Sequence, residues 1–332
     1  MSSFKSIKNQ IVAQFAQDNR TVPYIEGAPG GGKSALGRAI GIAMGLAPEN
    51  IHQFYASLRE PVDLLGIPKA MDDGTNRWFP PAEIAHLSHG RHLLIIEELS
   101  DATTPMQNAL CGMLHDRRVG TVTLSPDCYI VATGNRTKDK SGANRIVSKL
   151  GGRVRRYEFA ENIDDWSDWA LDAGIDPVGI QFLRFRPALL SDFNPDKFSS
   201  PTPRTWEKAF SVPTSLPANQ YLESVAGDVG EAAATEYIAF RRIADALPNI
   251  EDVLMNPATF QIPSDPAVRY ALCGAVAHRT TKDNFDRVYQ LVERMDPEFG
   301  VMIINDAQKL CPAIKQTKTF TKWCVANASV ML

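Results

Sequence analysis

The chain has 332 residues, 44% of them apolar and 22% charged, with a formal net charge of -3 at pH 7. That length buries one large core or two smaller ones. A total charge so near zero excludes a whole-molecule field that would draw the protein to nucleic acid or anionic lipid. The five cysteines, at 111, 128, 273, 311 and 324, form no CxxC pair and read as small core residues of a reducing compartment. No apolar run reaches the length needed to cross a bilayer. The opening MSSFKSIKNQ lacks an apolar signal core, so the expected location is cytoplasmic.

Phe4, Ile7, Ile11 and Phe15 recur at three-to-four spacing and predict an amphipathic helix over residues 3 to 18. The next stretch, VPYIEGAPGGGKSALGRAIGIAM (22 to 44), runs from an apolar strand through a glycine-rich turn into a helix. It matches G-x-x-x-x-G-K-[ST] in full, from Gly27 through Gly32, Lys33 and Ser34. Glycines permit a tight concave turn whose N–H groups face one centre, and an oligophosphate needs several donors with no side chain in the way. The cradle comprises Gly27, Ala28, Pro29, Gly30, Gly31, Gly32, Lys33, Ser34 and Ala35. Pro29 stiffens it through its fixed φ. Lys33 supplies a positive charge for the β and γ phosphates, Ser34 a hydroxyl for Mg2+, and the helix start further free N–H groups. The leading helix either packs on the sheet or walls the nucleotide base.

Residues 51 to 57 predict a second strand, followed by a long turn-rich segment with Asp63, Gly66, Trp78 and Phe79. Long structured loops are usually functional. Trp78 and Phe79 either grip a partner chain or close a small satellite core. HLLII (92 to 96) predicts a central parallel strand buried on both faces and ends in Glu97-Glu98. Carboxylates at that edge lie where open α/β sheets keep ligands. One can hold Mg2+ through water and the other can activate an attacking water, or the two form a solvated pair. Met106, Leu110, Met113 and Leu114 mark a helix, RRVGTVTLSP a hairpin, and CYIVATGN (128 to 135) another buried strand. Its terminal Asn135 either bonds a γ-phosphate or the lytic water, or caps the strand. In the basic stretch 136 to 156, Arg145 and Arg153 are candidates for reaching a neighbouring subunit's γ-phosphate, and RRYEF reads as the last strand.

The composition changes near residue 160, which divides a nucleotide-binding core (1–160) from a helical region (161–332). Thr202 and Pro203 open a helix as cap and first-turn residue. Arg204 then stands near a helix N-terminus that does not stabilise its charge, so it is either an anion ligand or a surface arginine. The last stretch, 250 to 332, carries no chemical motif.

With these residues in hand, the chain resembles the AAA+ ATPases, and within them the MoxR-like branch, over about residues 20 to 210. GAPGGGKS looks like the Walker A loop, and LLIIEE like Walker B with Glu97 as metal-associated and Glu98 as catalytic acid. Asn135 resembles sensor 1, GGRV the arginine-finger segment, and PTPRTWEKA the sensor 2 helix with Arg204 as the sensor. EPVDLLGIP, SGANR and DDWSDWA also look MoxR-like, which makes Arg145 a second candidate finger. The sequence departs in two places: Glu97 stands where the family usually has Asp, and Ser100-Asp101 where an Asn-Arg pair is common.

The resemblance implies an α/β P-loop αβα sandwich with a parallel central sheet and an all-helical lid. It implies ATP/ADP and Mg2+ as cofactors and a ring homo-oligomer, commonly a hexamer. It also implies a remodelling motor or chaperone acting beside a partner with a von Willebrand factor A-like or metal-binding domain. An ATP-gated assembly or scaffold protein with little turnover is the alternative. A nucleic-acid translocase has only the basic 136 to 156 stretch behind it.

Overall fold

The computed structural model describes residues 2–139 and 146–327, so Arg145 lies outside the described residues. They form two compact units, 2–139 and 146–162 with 193–198, and 163–192 with 199–327.

The first unit begins with α1 (Phe4–Gln17), followed by β1 (Val22–Gly27), α2 (Lys33–Ala43), β2 (Ile51–Tyr55) and α3 (Pro61–Leu65). Then come β3 (Ile67–Ala70), β4 (Asn76–Phe79), α4 (Ala82–Ala85), β5 (His92–Glu97) and α5 (Thr104–Asp116). The unit ends with β6 (Arg118–Val119), β7 (Val122–Thr123), β8 (Cys128–Asn135), α6 (Ser148–Gly151) and β9 (Val154–Glu158).

Five strands make one sheet in the order β2-β5-β8-β1-β9, each neighbouring pair parallel. Every residue of β5 is buried, as a strand covered on both faces requires. Side chains alternate across it. Leu93 and Ile95 join Ile25, Val131 and the buried residues of α1 and α2 in one cluster. Leu94 and Ile96 join Tyr24, Ile130 and Met106, Leu110, Met113 and Leu114 of α5 in the other. Ile7, Ile11 and Phe15 are thus spent on packing, which favours the simpler of the two roles open to α1. Gly41 lets α2 lie close to the sheet, since a Cβ there would sit 2.7 Å from Ile51.

The segment between β2 and β5 is more regular than its turn-rich sequence predicts. It holds two short helices and the antiparallel β3–β4 hairpin. Asp63 closes a capping box with Glu60, and Gly66 lies where a Cβ would meet the Phe79 carbonyl oxygen at 2.1 Å. Trp78 and Phe79 are each 47% exposed, so they close no satellite core within this unit.

The second unit is helical throughout its described residues: α7 (Ile163–Asp172), α8 (Pro177–Phe185), α9 (Pro203–Phe210), α10 (Ala218–Val229) and α11 (Glu231–Asp245). It continues with α12 (Ile250–Met255), α13 (Pro266–Arg279), α14 (Phe285–Val292), α15 (Pro297–Leu310) and α16 (Lys318–Ala326). Helix α13 contributes Ala267 and Ala271 to one apolar cluster and Leu272, Cys273 and Val276 to the next. Buried Asp306 accepts both guanidinium arms of Arg184, at 2.5 and 2.9 Å, and an amide hydrogen of Gln181 at 3.2 Å, tying α8 to α15. A buried carboxylate needs such multiple donors. No helix among the described residues is long and apolar enough to cross a membrane.

Candidate functional site

β1 ends at Gly27 and α2 begins at Lys33, so the glycine-rich turn is the whole connection between them. Gly30 (φ 71°) and Gly32 (φ 102°) lie in the left-handed region, where a side chain is strained. A Cβ built on Gly32 would meet nothing within 4 Å, so that side of the turn is open. Lys33 folds over the loop, its Nζ donating to Gly27 O at 3.1 Å and Ala28 O at 2.7 Å. Ser34 is half-buried in the first turn of α2, and Ala35 is exposed. The carboxylate of Glu161 approaches from across the turn. Its Oε1 is buried without a hydrogen-bond partner and lies 1.9 Å from where a Gly31 Cβ would stand.

Parallel register sets Gly27 of β1 beside Asn135 of β8. Lys33 therefore reaches a third acceptor, Asn135 Oδ1, at 2.9 Å. The Asn135 amide donates in turn to Asp101 Oδ2 at 2.7 Å, and its backbone N–H to Ser100 Oγ at 2.8 Å. Ser100 Oγ completes the chain to Asp101 Oδ1 at 3.1 Å. Burial raises the Asp101 pKa above the ordinary carboxylate value, and the charge of Glu98 adds to the rise. Bonds from Ser100 and Asn135 and the Lys33 charge oppose it. On its other side Asn135 borders a cavity of about 250 Å³ that Tyr24, Glu26, Ser100, Thr137 and Arg156 also line.

Glu97 ends β5, next to β8 in the sheet, and Glu98 is the first residue beyond it. Glu97 is 2% exposed. It accepts from Thr133 Oγ1 at 2.6 Å and from Gln53 Nε2 at 3.1 Å, a partner on each adjacent strand. Glu98 turns out of the strand with φ 57°, a left-handed conformation uncommon without glycine. Its N–H donates to Thr133 Oγ1 at 3.3 Å, and its carboxylate accepts the Ser57 hydroxyl.

Arg153 Nη1 donates to Lys149 O at 2.7 Å, which folds the guanidinium back on α6. Arg204 is exposed in the first turn of α9, in the second unit, behind the expected Thr202 cap and first-turn Pro203. The structure thus brings Lys33 and Asn135 together in one network and places Glu97 and Glu98 on the neighbouring strand end. Sequence reasoning missed Gln53, Ser57, Thr133 and Glu161, and noted Asp101 only as a departure from the family pattern. Thr133 alone had a sequence signal, a polar residue within an apolar strand two places before Asn135.

No family model matches the chain, and no curated protein matches it. Among solved structures, NtrX from Brucella abortus is 16% identical over 93% of this chain and 68% of its own, with a TM-score of 0.41. The same protein in complex with ADP is 18% identical over 92% of this chain and 67% of its own, TM-score 0.40. The Thermotoga maritima RuvB Holliday junction branch migration motor is 14% identical over 77% of this chain and 75% of its own, TM-score 0.36. Likeness at this level assigns no family. The strand order, the glycine-rich loop between β1 and α2, and the helical unit that follows in the chain give the architecture of an AAA+-like P-loop module.

Proposed function

We propose that this protein binds ATP as its magnesium complex at the Gly27–Ser34 loop, and that the nucleotide state gates its assembly with itself or a protein partner. One observation carries the reading: Lys33 Nζ bonds at once to two loop carbonyls and to Asn135 Oδ1. That places a cation, a concave backbone turn and a neutral amide around one centre, which suits a triphosphate.

The residues fit the group. The open side of Gly32 leaves its backbone accessible. Each Glu97 oxygen accepts one hydrogen bond and keeps a second lone pair, so contact with a hydrated Mg2+ through water stays available beside the Ser34 hydroxyl. Bound there, Mg2+ would supply charge neutralisation for the phosphates. Glu98 is the group to orient and deprotonate the attacking water. Asn135 positions the γ-phosphate, with Arg204 and either Arg145 or Arg153 as further anion ligands.

Slow turnover is favoured over a fast motor. Both carboxylates already serve protein donors, Glu97 those of Gln53 and Thr133, Glu98 that of Ser57, and Glu97 is a methylene longer than the usual Asp. The second reading, a MoxR-like remodelling motor in a ring of six beside a von Willebrand factor A-like partner, is supported by the sequence motifs. The exposed Trp78 and Phe79 support an assembling surface under either reading. A nucleic-acid translocase is disfavoured, because Arg136 pairs with Asp139 and Arg156 with Glu26 and Glu158, which takes up basic charge of that stretch.

Calorimetry with MgATP and a phosphate-release assay on wild type and Glu98→Gln test the proposal together. We expect binding in both proteins and slow release only in wild type, with hydrolysis at least about a hundredfold lower in the variant. No uptake of ATP or ADP by the wild type would reject nucleotide binding. Rapid wild-type release would replace the gate with the motor.

A further inference from the structure

The opposite end of β5 carries a second cluster of ligand-forming side chains. β5 runs from His92 to Glu97, and five steps of about 3.3 Å separate the two by roughly 17 Å. His92 is buried, His52 on the edge strand β2 is half-buried, and His86 is exposed directly after α4. The candidate ligand nitrogens of these three residues all lie within 4.8 Å of one another. Their ring centroids are 4.8 Å (86 to 92), 5.1 Å (52 to 92) and 5.6 Å (52 to 86) apart. Among the described residues this is the one group of three His, Cys, Asp or Glu side chains so arranged.

The proton positions follow from the neighbours. His92 Nε2 lies 2.7 Å from the His89 carbonyl oxygen, which can only accept, so Nε2 carries the hydrogen. That leaves His92 Nδ1 as an acceptor, to which His52 Nε2 donates at 3.1 Å; a metal ion bound between the two nitrogens would take the place of that proton. An imidazole whose second nitrogen donates to a backbone carbonyl is oriented as metal-ligating histidines are. Two nitrogens bound to one tetrahedral ion at 2.0–2.1 Å stand about 3.3 Å apart. The His52–His92 pair, at 3.1 Å, is already near that spacing, and the ligand nitrogen of exposed His86 lies within 4.8 Å of both.

We propose that His52, His86 and His92 form a three-imidazole site for a divalent first-row transition metal, with Zn2+ as the natural occupant. Imidazole suits Zn2+ and its neighbours, whereas Mg2+ and Ca2+ demand oxygen ligands. The site is a staple. It ties β2, whose outer side has no strand neighbour, to β5 and to the turn after α4. Its position keeps it independent of the nucleotide reading.

The test uses the full chain, stripped with a chelator and titrated with Co2+ alone and then Zn2+ alone. We expect one Co2+ per chain, with the intense visible absorption of a tetrahedral ion, displacement by Zn2+, and a rise in melting temperature that chelator reverses. His86→Ala, at an exposed position, should fold normally by circular dichroism and bind at least about tenfold more weakly. His89→Ala, which keeps the backbone carbonyl, should bind as wild type does. Absence of stoichiometric binding, equal affinity in His86→Ala, or a weak octahedral signal from an adventitious ion only would each overturn the site.

Discussion

Lys33 Nζ lies 2.9 Å from Asn135 Oδ1, 102 positions away in the chain. The bond exists because β1 and β8 are parallel neighbours whose final residues, Gly27 and Asn135, stand side by side. A loop motif and a strand end thereby become one site. The same lysine holds the carbonyls of Gly27 and Ala28, so it braces the turn as well as charging it.

Replacing Lys33 with Met keeps the aliphatic stem and removes the charge. Bonds to charged groups contribute about 1.5–3 kcal/mol, and each 1.4 kcal/mol is about tenfold in affinity. The dissociation constant for MgATP should therefore rise by roughly ten- to a hundredfold in calorimetry. Unchanged affinity would remove Lys33 from the phosphate site.

Glu98 holds a left-handed backbone that costs a non-glycine residue roughly 1–2 kcal/mol. Glu98→Gly should leave the melting temperature unchanged or raised while abolishing phosphate release. A lower melting temperature would show that the carboxylate, through its bond with Ser57, contributes more to folding than the backbone strain costs. Ser57→Ala frees the same carboxylate, and we expect faster phosphate release from it than from wild type.

Thr133 serves both acids, its hydroxyl donating to Glu97 and accepting from the Glu98 N–H. Valine matches its shape and withdraws the donor from a carboxylate that is 2% exposed. Loss of a partner by a buried polar group costs about 1–3 kcal/mol, which urea denaturation of Thr133→Val should register. A change below about half a kcal/mol, within the range of ordinary surface substitutions, would mean that Glu97 finds another donor.

Asp101 should make stability depend on pH. Its pKa is raised in the folded protein, so folding favours the protonated form. The associated stability is fully present below the unfolded pKa and is lost as pH rises through the folded one. Wild type should gain relative to Asp101→Asn as pH falls through that window, read as the difference in urea midpoint across a pH series. A difference that stays flat with pH would remove Asp101 as the titrating group.

The sequence by itself determined the elements whose causes are local. The Gly27–Ser34 spacing required a turn that only glycines fit, and the apolar runs at 92 to 96 and 128 to 135 required strands covered on both faces. Thr202 and Pro203 announced a helix start that the capping box confirms. What the tertiary structure decided is who stands next to whom. Strand order here does not follow chain order, so Thr133 and Gln53 meet Glu97, and Asp101 meets Asn135, through lateral pairing that no spacing along the chain reveals. Three histidines from separate segments converged for the same reason: side-chain partners are chosen by the packed sheet and its covering loops.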